Sequence, residues 1–106
     1  MKPIDFRNET LHDIEARLDH LRAAALDAWR RLGPGTTREV ARLSGMDILT
    51  FRPRTTELVQ LGLVCLDESG QVSGHEGVYR ARTDREWLDW ITTQRESATS
   101  RQGQLL

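Results

Sequence analysis

The apolar residues near the start of the chain follow a helical spacing. Leu11, Ile14, Leu18, Leu21, Ala25, Ala28 and Leu32 recur at alternating intervals of three and four, a heptad seam broadened in its second half by Leu26 and Trp29. Thr10 and Asp13 make a capping-box start, and Gly33-Pro34-Gly35 supplies the stop, so the spacing predicts one long helix over residues 10–32. Thr36 and Glu39 form a second box, followed by a short helix with Val40, Ala41 and Leu43 facing inward and Gly45 at its end. A third helix carries Phe51, Thr55 and Leu58 on one face and closes at Gly62. The period then changes: residues 63–67 and 77–82 read as strands, the second with Val78 and Tyr79 suited to a pleated surface. Between them "ESGQVSGHE" reads as a polar hairpin loop punctuated by glycine. Thr83 and Glu86 form a third box, opening a helix with Trp87, Leu88, Trp90 and Ile91. Residues 1–9 are polar and expected to be loose. The pattern therefore predicts one mainly α domain with a small β-hairpin over residues 10–96, followed by a disordered tail, 97–106.

Pro53 interrupts this pattern, because proline lacks a backbone donor and breaks a helix interior. In the first turn of a helix it forfeits no bond. With Thr50 as N-cap, Pro53 is the third helical residue; with Asp47 as N-cap, it lies about a turn too deep. The expectation is a helix that starts near Thr50, with "GMDIL" as an extended turn before it.

Composition changes the picture in two respects. Lys2 is the only lysine and every other basic residue is arginine, a bias that a GC-rich genome explains and that also suits phosphate and base-edge contacts. The formal net charge of −1 conceals an uneven distribution. From Arg30 to Gln60 six arginines face three acids, a balance of +3, whereas from Asp5 to Trp29 three arginines face six acids, a balance of −3. One cysteine, Cys65, cannot form an internal disulfide, so a reducing compartment is the default. The N-terminus lacks a signal peptide's apolar run, and no segment approaches the ~20 apolar residues of a membrane span. A soluble, cytoplasmic chain with no membrane partner is expected.

A family resemblance rests on particular residues. Ala41, Gly45 and Phe51 have the spacing of helix-turn-helix proteins: a small residue where the helices cross, glycine at the turn, an apolar residue where the second helix docks. Followed by "ELVQLGLV" and a hairpin ending in "GVYRA", the run from about Leu21 to Arg82 resembles the winged helix-turn-helix domains of small bacterial and phage transcriptional regulators, MarR- and ArsR-like in the broad sense. The chain departs from that pattern at Arg54, where simple helix-turn-helix proteins usually place an aliphatic residue.

The resemblance implies that the second helix of the pair enters the DNA major groove. Steps of ~100° per residue place Arg52, Thr56 and Gln60 away from the inward face. These are the base-edge candidates, since arginine pairs with guanine and glutamine with adenine. Thr50 caps the end aimed at DNA, where free amides favour phosphate. Arg54 and Arg38 are phosphate candidates, and His75, Arg80 and Arg82 of the wing are placed to reach the backbone or minor groove. The plain alternatives are that the arginines are solvated surface residues and that Arg82 pairs with Asp84.

Other chemistry is not indicated. His12, His20 and His75 lack a metal-ligand spacing, Cys65 reads as a packing residue, and no catalytic triad, paired-acid motif or phosphate-cradling loop stands out. No enzyme activity, cofactor or metal is expected. The first and last helices either complete one core or bury Leu11, Ile14, Leu18, Trp87, Trp90 and Ile91 against a second copy, as the dimeric regulators of the family do. The sequence thus points to a homodimeric binder of double-stranded DNA that regulates a bacterial, phage or mobile-element operon. A winged helix serving as a protein-interaction module in a replication or assembly complex is the alternative.

Overall fold

A computed structural model describes residues 10–68 and 76–104. The elements run α1 (Leu11–Ala16), α2 (His20–Leu32), α3 (Thr37–Ser44), α4 (Ile48–Gln60), β1 (Val64–Leu66), β2 (Tyr79–Ala81) and α5 (Asp84–Gln104). All three capping boxes form. Thr10 and Asp13, Thr36 and Glu39, and Thr83 and Glu86 each exchange a side-chain hydrogen bond with the partner's backbone amide. Those bonds hold the carboxyl of Asp13 below its ordinary value, since the Thr10 hydroxyl and amide favour the charged form.

The long first helix does not form as one piece. Arg17 caps the end of α1, and Asp19 starts α2 by accepting from the Arg22 amide at 2.9 Å. An aspartate that bonds a nearby amide competes with helix continuation, which the apolar spacing of the seam does not reveal. That same hydrogen bond lowers the Asp19 pKa, helped by the charges of Arg22 and Arg54 and opposed by desolvation.

Residues Leu18–Arg82 fold as one compact unit. Trp29, Val40, Ala41, Phe51, Leu58, Leu63 and Val64 are buried at its centre. The indole N–H of Trp29 donates to the buried Thr55 hydroxyl at 2.9 Å. The Trp29 ring lies 5.7 Å from Phe51 and stands edge-on to Tyr79 at 6.2 Å. One side chain of α2 thus touches both α4 and the hairpin. The inward face read for α4 is present, with Phe51, Thr55 and Leu58 buried. Leu43 differs: it is 60% exposed, and α3 packs through Val40 and Ala41 alone among the three residues read as inward.

Gly45 ends α3 at φ +79°, a left-handed conformation that glycine adopts without Cβ strain. The Met46 amide reaches back to the Ala41 carbonyl at 3.1 Å, closing the turn. The strands are shorter than the sequence suggests and pair antiparallel, with Val64 opposite Ala81, Cys65 opposite Arg80 and Leu66 opposite Tyr79. Gly35 adds a bridge on the other edge, exchanging two backbone bonds with Tyr79.

The second unit holds α1 and α5, from either end of the chain. Ile14, Trp87 and Ile91 are buried in it, and Leu11 and Trp90 are half-buried. The chain divides into these two compact units, and α5 runs Asp84–Gln104.

The start of α4 corrects the reading of Pro53. Asp47, not Thr50, is the N-cap: its side chain accepts from the Leu49 amide at 2.8 Å, and its carbonyl accepts from Phe51 at 2.8 Å. Pro53 thus lies inside the helix, leaving the Leu49 carbonyl without its usual donor four residues on. The cap at Asp47 and the burial of Phe51 against Trp29 outweigh that loss. An interior proline costs up to ~3 kcal/mol, partly offset by ~0.4–1 kcal/mol from a stiffer unfolded chain. Pro53→Ala is therefore expected to stabilise the fold by about 1–3 kcal/mol in denaturant titration, and an unchanged midpoint contradicts an interior position. Thr55→Val keeps the shape but strands the buried Trp29 donor, and is expected to cost about 1–3 kcal/mol in the same titration.

Candidate nucleic-acid interface

The turn at Gly45 sets the exposed face of α4 beside the hairpin. Arg52, Thr56 and Gln60, spaced four apart, form a solvent-exposed stripe along that face. The Thr56 hydroxyl donates back to the Arg52 carbonyl at 3.2 Å. Pro53 and Val59 flank the stripe, and Leu49 is 81% exposed in the first turn. Between this face and the hairpin lies a cleft of about 380 Å³. Thr37 borders it from α3, Arg52, Thr56 and Val59 from α4, and Glu76, Gly77 and Tyr79 from the hairpin side.

Arg38 of α3 and Arg52 of α4 converge on a single oxygen there. The Oε1 atom of Glu76 accepts from Arg38 Nε at 3.3 Å and stands 3.9 Å from Arg52 Nη2. The arginine side chains remain 69% and 55% exposed, against 36% for the carboxylate. Glu76 is the residue sequence reasoning missed. It sits at the returning end of the hairpin loop, and only the fold brings it to two arginines that are 38 and 24 positions earlier. An acid at the last position of the predicted loop is the available signal, and it is a weak one.

The other predicted positions are dispersed. Arg54 lies on the far margin of α4, where its guanidinium pairs with Glu57. Glu57 also accepts from Arg22 of α2, and Arg22 in turn pairs with Asp19 at 2.9 Å. This chain of charges ties α4 to α2 and explains how an arginine occupies a position where an aliphatic residue is usual: it packs with a shared carboxylate as its counter-ion. The Arg54 Nε is buried without a hydrogen-bond partner. Thr50 is half-buried as the third residue of α4, about 160° around the axis from Arg52. Arg80 is half-buried on β2, its Nη1 3.4 Å from the Ala81 carbonyl. Arg82 donates to the Gly62 carbonyl at 3.0 Å. His75 lies outside the described residues. Among the described residues no cluster of His, Cys, Asp and Glu side chains has the arrangement of a metal site. None of the described helices is long and apolar enough to cross a membrane.

No protein-family model matches the chain. No curated protein matches it either. Among solved structures, RV1404 from Mycobacterium tuberculosis superposes with a TM-score of 0.56 at 16% identity, over 88% of this chain and 63% of that one. NMB1585, a MarR family regulator from Neisseria meningitidis, superposes with a TM-score of 0.50 at 15% identity, over 81% of this chain and 61% of that one. The chain spans less than two thirds of the length of either protein. At such identities the likeness is one of fold. The element order, the glycine turn and the antiparallel hairpin, together with these superpositions, make the fold a winged helix-turn-helix of α+β class, similar to that of a MarR family regulator.

Proposed function

We propose that this protein binds double-stranded DNA through the exposed face of α4 and regulates transcription, without a catalytic step. The observation that carries the reading is the stripe of Arg52, Thr56 and Gln60 on the second helix of a helix-turn-helix, with Arg38 beside it. Arginine and glutamine there match the acceptor and donor patterns of guanine and adenine in the major groove. Arg38 supplies a phosphate contact at the cleft margin, and the excess of arginine from Arg30 to Gln60 supplies the local field. Arg54 contributes less, because Glu57 holds it against α2. Similarity in fold to a MarR family regulator supports the regulatory role.

In the same reading the protein acts in the cytoplasm as a homodimer, on a bacterial, phage or mobile-element operon. A dimer sets two copies of α4 on successive major-groove faces, about one DNA turn apart. Of the apolar residues expected to form its interface, Ile14, Trp87 and Ile91 are already buried within the chain. Leu11, Leu18 and Trp90 are half-buried, and Leu88 is 51% exposed; among the described residues these side chains keep accessible apolar surface for a second copy.

The test compares a duplex selected by the protein from a random-sequence pool with unselected duplexes, across a salt series. Arg52→Ala is expected to weaken binding to the selected duplex by ~1–3 kcal/mol and to relax sequence preference, as loss of a bidentate base contact does. Arg38→Ala is expected to weaken all duplexes alike and to flatten the salt dependence by about one contact. If both folded variants bind every duplex like the wild type, this surface does not read DNA and a protein-interaction role takes its place.

A further inference from the structure

We propose that Glu76 is an acidic gate that withholds Arg52 from DNA of the wrong sequence. The inference rests on the DNA-binding reading above and concerns how the same surface discriminates. A single carboxylate oxygen between guanidinium groups from two different helices occupies the position that a phosphate oxygen would take between them. Both pairs are long, and both arginines are more exposed than the acid, so the carboxylate holds them loosely and yields to an acceptor of better geometry.

The consequence differs between duplexes. Where a guanine edge lies opposite Arg52, its two acceptors offer bidentate geometry that Glu76, at 3.9 Å, does not. Arg52 then leaves the carboxylate. Where no guanine is offered, only a phosphate competes, and Arg52 gains little by exchanging one anion for another. It stays with Glu76, and the carboxylate keeps a negative charge facing the DNA backbone. Random sequence therefore loses one phosphate contact that the fold otherwise supplies.

Glu76→Gln removes the charge and keeps the size. The expected result is binding to unselected duplexes that is about 3- to 10-fold tighter, with a salt dependence steeper by about one phosphate contact. Binding to the selected duplex changes less, so the ratio between the two falls. Asp27→Asn provides the baseline for loss of any acid, since Asp27 pairs with Arg31 outside the cleft. In an Arg52→Ala background the effect of Glu76→Gln is expected to shrink towards that baseline. Thermal unfolding of each variant confirms that it is folded. Equal gains on both duplexes, or a gain no larger than that of Asp27→Asn, overturn the gate. Weaker binding by Glu76→Gln overturns it too, because the carboxylate then positions the arginines for DNA. Wild-type protein that binds no duplex at all is a different failure, which removes the DNA-binding reading and the gate with it.

Discussion

The indole of Trp29 fixes where everything else in the larger unit can go. Its ring is buried between Phe51 of α4 and Tyr79 of β2, and its N–H is satisfied by the Thr55 hydroxyl one helical turn beyond Phe51. A tryptophan N–H has a single direction in which to donate, and leaving it unmatched in the core costs about as much as a lost hydrogen bond. The bond therefore selects one rotation of α4 about its axis, beyond what apolar contact alone requires. With Phe51, Thr55 and Leu58 turned inward, Arg52, Thr56 and Gln60 are forced outward. Tyr79, held by the same ring and by its backbone bonds to Gly35, sets the hairpin against that exposed face.

Two charge arrangements then separate the margins of α4. On one side Asp19, Arg22, Glu57 and Arg54 form a partly buried chain between α2 and α4 whose charges are paired and whose role is packing. On the other, Arg38, Arg52 and Glu76 form an open group with one positive charge in excess and with both arginine side chains more than half exposed. The arginines 52 and 54, two positions apart around a proline, thus have unlike environments. Proline inside the helix does not prevent this, because the cap at Asp47 and the burial of Phe51 hold the first turns in place.

What the sequence made legible was local in origin. The three capping boxes, the left-handed glycine at position 45 and the inward face of α4 each depend on residues within a turn or two of one another, and each is present. The misses had two sources. At residues 17–19 an aspartate able to cap competes with a good apolar spacing, which does not weigh that competition; at Asp47 the cost of an interior proline argues for a later start, and the aspartate cap overrides it. Leu43 is apolar and three residues from Val40, yet it is exposed, and Val40 and Ala41 are the residues of α3 that are buried. The candidate site was legible only in part. The stripe on α4 follows from helical period, but the pairing of Glu76 with Arg38 and Arg52, and of Glu57 with Arg22, joins residues distant in sequence. No pattern along the chain encodes those partners.

The central claim is that the exposed face of α4 and the adjoining hairpin form one surface that receives duplex DNA. Amide and arginine side-chain NMR shifts, followed while a short duplex is titrated into the protein at low salt, test it most directly. The account predicts that the largest changes fall on Arg38, Arg52, Thr56, Gln60 and residues 76–79, with the Arg52 and Arg38 guanidinium signals moving as Glu76 is displaced. Changes confined to α1 and α5, or a spectrum that duplex leaves unaltered, contradict it.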